Sequence, residues 1–288
     1  MNPVLKAALW MIGAIASFST MAVAGREVST ALDTFEIMTY RSVVGMLILW
    51  TVLTVTRRWP EVKTDALGLH ALRNMAHFAG QNLWFFAVGV IPLAQVAALE
   101  FTSPIWVVML SPLVLGERLT RVRVLSVLLG FAGILLVARP TPESINAGIL
   151  AATACAVFFA LSAVFTRRLT RLSSVACIMF WLTLMQAAFG LLCSLWDGQM
   201  AAPNATTLPW LLVIGCAGLL AHFCLTSALA IAPATVVVPI DFVRLPTIAM
   251  LGMWLYGEAL DVWIFVGAAV IFGANYLNIW TETQRGKP

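Results

Sequence analysis

Ten apolar runs, each about as long as a bilayer is thick, leave this chain almost no way to fold in water. A hydrocarbon core about 30 Å thick needs roughly 20 apolar residues per helix. Runs of that kind lie at about 5–24, 36–56, 69–89, 93–115, 121–138, 147–166, 174–196, 208–230, 234–256 and 261–280. The junctions at Pro92 and Pro233 are very tight. Only 10% of the 288 residues are charged, against about 25% in soluble proteins, and a mean hydropathy of +0.94 spreads the apolar excess over the whole chain. The fold class that follows is an all-α integral membrane protein with ten transmembrane helices.

The net charge of +4 does not mark a nucleic-acid binder, because the basic residues stand in short clusters between the apolar runs, as topology signals do. With the N-terminus inside, the cytoplasmic segments hold Lys6, Arg57, Arg58, Lys63, Arg118, Arg121, Arg123, Arg167, Arg168, Arg171, Arg285 and Lys287, whereas the opposite side holds Arg26 and Arg139 alone. Cytoplasmic loops are enriched in Lys and Arg, so both termini are expected in the cytoplasm. Residues 1–25 also have the outline of a cleavable signal peptide, but their long apolar stretch and the internal repeat favour a retained first span. Cys155, Cys177, Cys193, Cys216 and Cys224 fall inside apolar runs without CxxC or metal spacing and read as small packing residues.

Shifting the sequence by 141 residues without gaps lays span 1 on span 6 and holds register through span 5 on span 10. Pro92 meets Pro233, Phe101 meets Phe242, Met109 meets Met250, Gly116 meets Gly257 and Glu117 meets Glu258. Five spans is an odd number, so the second copy must enter the membrane from the opposite side. Inverted repeats of this type are characteristic of secondary transporters. The domains expected are residues 1–140 and 141–288. Inversion also explains why the Gly116-Glu117 turn is followed by Arg118, Arg121 and Arg123 while the outward Gly257-Glu258 turn is followed by none. Glycine ends a helix by accepting a left-handed cap, and the adjacent glutamate is either an interfacial charge or a partner for a helix end or a loop arginine.

These features resemble the drug/metabolite transporter superfamily in its ten-span branch with two EamA-type repeats. The resemblance covers essentially the whole chain: Tyr40-Arg41 early in span 2, Pro104 in span 4, Pro246 in span 9, the Gly-Glu span ends and the glycine-rich LLGFAGILL of span 5. Within that family the chain is most similar to the bacterial YddG-type amino-acid exporters, which implies export of amino acids, aromatic ones included, across a bacterial inner membrane. The last span departs from the pattern, with Asn275 and Asn278 in place of small residues.

Polar groups inside spans are costly unless they face a cavity or a partner, so they are the site candidates. Span 3 carries His70, Arg73, Asn74, His77 and Gln81 along one helical face. The 141 shift sets Gln81 opposite His222, as expected of a pseudo-symmetric polar cavity, and Glu100 opposite Asp241. Asp241 and Arg244 either neutralise each other or bind the ammonium and carboxylate of a zwitterion. Glu36 and Arg41 read as structural. Trp84, Phe85, Trp106, Phe158, Phe159 and Trp181 stand at a depth where they either pack against helices and lipid or, if two or three line a cavity, stack on flat side chains; Trp84, Trp106, Phe158 and Trp181 complete the candidate set.

No GxSxG elbow, HExxH or ATP-binding loop is present, and the three histidines have no metal spacing. The chain is therefore read as neither an enzyme nor a metal or cofactor protein. Its expected partners are a small-molecule substrate and the lipid bilayer, and a monomer is adequate. Proton coupling through His77, His222, Glu100 or Asp241 and simple uniport are both compatible with these residues, as are multidrug efflux and uptake on the same architecture.

Overall fold

The structure is a computed structural model that describes residues 3–115, 121–139, 146–196, 200–231 and 240–285. The expected turn at Gly116 and Glu117 and the junction at Pro233 lie outside the described residues. Helices α1 (Pro3–Val28), α2 (Thr34–Val55), α3 (Leu67–Val90), α4 (Leu93–Glu100), α5 (Ser103–Leu115) and α6 (Arg121–Ala138) make up the first half. The second half holds α7 (Ala147–Leu169), α8 (Val175–Ser194), α9 (Leu208–Ile231), α10 (Arg244–Tyr256) and α11 (Val262–Arg285). No strand occurs among the described residues.

Local sequence accounts for several helix ends. Asp33 and Glu36 form a reciprocal capping box on α2, with bonds of 2.8 and 2.9 Å. Asn146 and Ser174 cap α7 and α8. Gly257 ends α10 at φ 65°, the left-handed conformation that glycine adopts without a Cβ penalty.

The expected fourth span is not one helix. It breaks after Glu100, and Phe101 and Thr102 form the turn between α4 and α5. A second turn stands at Phe242 and Val243, just before α10 and 141 residues along. Pro104 and Pro246 fall in the first turns of α5 and α10, where the missing N–H deprives the preceding turn of a helical bond. The Asn275 side-chain amide donates 3.0 Å to the Phe101 carbonyl, so one backbone group freed by the break is satisfied from α11.

Six described stretches are long and apolar enough to cross a membrane: Leu5–Val28, Thr34–Val55, Leu93–Leu110, Ala147–Thr166, Val175–Ser194 and Leu208–Leu225. Ten spans were expected. Helix α3 falls short because it buries His70, Arg73, Asn74, His77, Gln81 and Asn82, and the apolar parts of α6 and α11 are shorter, at Val124–Ala138 and Val262–Asn278.

Helix α1 packs on α9 and α3 on α7; α2 packs on α8, α4 on α10 and α6 on α11. A 141-residue shift exchanges the first two pairs, returns the α2–α8 and α6–α11 pairs to themselves, and lays α5 on α10. Helices α6 and α11 approach through glycine: a Cβ on Gly133 would lie 2.9 Å from the Gly267 carbonyl oxygen, and one on Gly267 would lie 2.8 Å from that of Gly133. Such contact of small residues is the usual means of close helix packing in a bilayer.

Candidate substrate cavity

A cavity of about 360 Å³ lies where α1, α3, α7 and α9 meet the two broken spans. Helix α3 lines it with Arg73, His77, Gln81 and Trp84, and α7 with Phe159, Ser162, Ala163 and Thr166. Each set follows helical spacing and so shares one face. Phe18 and Met21 come from α1, His222 and Leu225 from α9, Glu100 from the end of α4 and Arg244 from the start of α10. Eight of these residues form four pairs 141 apart: Phe18 with Phe159, Met21 with Ser162, Gln81 with His222, and Trp84 with Leu225.

One end is organised by Arg244. Its Nη1 and Nη2 each donate 3.1 Å to one Glu100 oxygen, and Nη2 lies 3.3 Å from Asp241. The other Glu100 oxygen accepts from the Trp84 indole at 2.9 Å. The guanidinium carbon lies over the Phe18 and Phe101 rings at 4.9 and 4.7 Å, and Phe101 stacks on Phe242. This arginine thus joins the two broken spans, with a carboxylate from each and cation–π contacts to two rings.

The other end has a different charge balance. Arg73, buried, donates through Nε to Thr166 at 3.0 Å and through Nη1 to Asn74 at 2.9 Å. Arg41 donates to the Gln81 side-chain oxygen. Among the described residues neither guanidinium has a carboxylate partner. A line of rings connects the ends: Phe159 to His77 at 5.8 Å, His77 to His222 at 5.9 Å and His222 to Phe18 at 5.7 Å. The His77 Nε2 atom is buried and has no hydrogen-bond partner among the described residues.

Six sequence candidates therefore line the cavity: His77, Gln81, Trp84, Glu100, His222 and Arg244. Asp241 holds Arg244 from behind. Three aromatic candidates stand outside the described lining. Trp106 packs edge-on against Phe131 and donates to Thr102, Phe158 backs onto Gly80, and Trp181 donates 2.8 Å to the Lys63 carbonyl beside His70. Each finds its partner in a neighbouring helix or loop. Sequence reasoning passed over Phe18, Met21 and Leu225, whose apolar side chains do not stand out in apolar spans; the 141 shift applied to Phe159 and Trp84 points to two of them. Among the described residues no three His, Cys, Asp or Glu side chains converge as metal ligands.

At the Arg26 end the helices are tied together. Arg26 pairs with Glu258 at 3.0 Å and also donates to the Val88 and Ile91 carbonyls. The second Glu258 oxygen accepts from the Leu93 N–H at 2.9 Å. Glu258 thus engages both a helix start and an arginine, while Tyr256 lies under the Arg26 guanidinium and donates 2.8 Å to Glu27.

Comparison with known proteins accords with a membrane carrier. The chain is 31% identical to a riboflavin transporter of Brucella anthropi over 270 residues, covering 92% of this chain and 95% of that one. It is 28% identical to a riboflavin transporter of Vibrio cholerae (98% and 96% covered) and 24% identical to an S-adenosylmethionine uptake transporter of Rickettsia felis (99% and 97%). A solved crystal structure shares the fold, with a TM-score of 0.64 at 23% identity over 94% of this chain and 96% of that one. The model of the EamA-like transporter family matches twice, at residues 5–139 and 146–280, starting points 141 residues apart. The chain is a multi-pass membrane transporter, not an enzyme, and it belongs to the EamA-like transporter family.

Proposed function

We propose that this chain is a secondary transporter of a bacterial inner membrane that carries a flat, ring-bearing metabolite, with riboflavin the first candidate. Two inverted five-span repeats, residues 1–140 and 141–288, rock around the cavity with both termini in the cytoplasm. The observation that carries this reading is the cavity wall itself, which pairs Phe18 with Phe159 and Gln81 with His222 across the 141-residue register. Stacking surfaces from both halves thus face one space, with hydrogen-bonding side chains between them. A volume of about 360 Å³ suits a small-molecule site. Broken helices at matching positions are the usual frame of a midplane site in carriers, and the resemblance to two riboflavin transporters supports the cargo. His77, Gln81, Trp84 and His222 touch the cargo, and Glu100 and Arg244 close one end.

Amino acids are the second reading. It is favoured by the opposite character of the cavity's ends, with Arg73 at one and the Glu100–Asp241–Arg244 cluster at the other, which suits a zwitterion. Flux of labelled riboflavin and of a labelled amino-acid panel into liposomes holding the purified protein separates the readings. Saturable riboflavin flux that excess aromatic amino acid leaves unchanged supports the first, and saturable amino-acid flux alone replaces it with the second.

A further inference from the structure

Burying a guanidinium without a counter-charge is expensive, and α3 does so in the cavity wall. Arg73 is 7% exposed and, among the described residues, bonded only to neutral acceptors, the Thr166 hydroxyl and the Asn74 amide oxygen. Its Nη2 makes no hydrogen bond among the described residues, leaving a donor group of the fork unused. Two further polar side chains on the same wall, His77 and Gln81, are each 5% exposed. The His77 Nε2 is unpartnered, and Gln81 is turned toward a second guanidinium, that of Arg41. Glu100 and Asp241 cannot balance this end, because both are spent on Arg244.

We propose that Arg73 is the recognition residue for an oxyanion, a carboxylate or a phosphate, carried by the cargo, with His77 and Gln81 completing the subsite. The ring body of the cargo then lies along Phe159, His77, His222 and Phe18 toward Arg244, and its anionic group meets the unused face of the Arg73 fork. This rests on the reading of the cavity as the cargo site and goes beyond it: riboflavin itself carries no such group and leaves the Arg73 fork unused, so of two ring compounds that differ in one anionic group, the anion binds better. Thr166 is a positioning residue, since its hydroxyl fixes the Arg73 Nε.

The test uses the full-length protein in lipid nanodiscs and equilibrium dialysis with two matched pairs, riboflavin with riboflavin 5′-phosphate and indole-3-acetamide with indole-3-acetate. A charge-assisted contact predicts that the anionic member binds about tenfold tighter. Arg73→Gln brings the two members within about twofold by weakening the anion alone, and Arg73→Lys keeps part of the preference. Thr166→Val, which leaves the charge in place, weakens the anionic member less than Arg73→Gln does and guards against misfolding as the explanation. An anion preference in one pair alone upholds the proposal and identifies the oxyanion as phosphate or carboxylate. Equal binding of both members, or a preference that survives Arg73→Gln, overturns the oxyanion assignment and leaves the cavity reading standing. Binding by no member of either pair overturns both.

Discussion

Phe101 and Phe242, 141 residues apart, stack with ring centroids 4.4 Å apart and planes 16° from parallel. Each sits in the turn that interrupts its span, and the next charged group along is Arg244, held by Glu100 on one side and Asp241 on the other. The two breaks are thereby fastened face to face at the cavity end, so disturbing one side of this joint affects both halves.

Arg244→Leu removes the only cation that, among the described residues, is bonded to Glu100 and Asp241, carboxylates 17% and 20% exposed. Loss of one partner from a buried ion cluster costs about 3 kcal/mol, read as a lower midpoint of thermal unfolding in detergent. Adding Asp241→Asn recovers part of that loss, because one uncompensated charge is gone. An unchanged midpoint for Arg244→Leu would show that the cluster does not stabilise the joint.

Asn275→Leu leaves the Phe101 carbonyl without its side-chain donor at the break between α4 and α5. A buried acceptor left unsatisfied costs about 1–3 kcal/mol. The same substitution at the neighbouring Asn278, whose side-chain oxygen has no partner, is expected to be neutral or stabilising. Unfolding midpoints of the two variants give the comparison directly.

How the sequence and the structure divide the work is clear from these two asparagines. Both stand out in the last span as polar residues among apolar ones, but only the fold shows that one of them completes a broken helix. The ten apolar runs and the pairing of Gln81 with His222 and Glu100 with Asp241 are legible because charge and polarity are rare there. The helix breaks were signalled by Pro104 and Pro246 and went unread, since proline is tolerated within membrane helices. The bond between Arg244 and Glu100 spans 144 residues, a distance at which side-chain spacing carries no information. Trp106 and Trp181 fall outside that lining for the opposite reason: tryptophan is conspicuous at any depth, and the ring and carbonyl they meet, those of Phe131 and Lys63, lie on other segments.

Closure at the Arg26 end depends on Glu258 bridging Arg26 and the Leu93 N–H. Glu258→Gln weakens both bonds, and Gly252→Ala acts in the same direction, because a Cβ there would collide with the Glu258 carboxylate. Both substitutions are expected to raise, about fivefold by a loss near 1 kcal/mol, the labelling rate of a cysteine placed at Leu225 by a reagent added at the Arg26 face. Exchanging the charges of Arg26 and Glu258 does not restore closure, since the Val88 and Ile91 carbonyls need the arginine where it is. Restoration by the exchange would reduce the contact to a simple ion pair.

The wall at Phe159 is set by Gly80, where a Cβ would fall 2.8 Å from the Phe159 ring and 3.2 Å from the Phe158 Cβ. Gly80→Ala therefore pushes Phe159 into the cavity. Overpacking costs stability by about 1–3 kcal/mol, and the larger effect falls on transport: KM for the cargo rises by about tenfold or more, as a misplaced site wall would produce. Transport kinetics equal to those of the unaltered protein would place the cargo elsewhere.

The central claim, that cargo crosses through the cavity between the halves, is tested most directly by filling that cavity. Ser162 lines it from α7, and Ser162→Trp would occupy much of its volume. The measurement is uptake of labelled riboflavin into liposomes containing either the unaltered protein or this variant, with folding checked by thermal unfolding. Saturable uptake by the first and none by a folded Ser162→Trp protein is the predicted result. Equal uptake by both would contradict the account, since the cargo would then be passing by a route that avoids Phe18, His77 and Phe159.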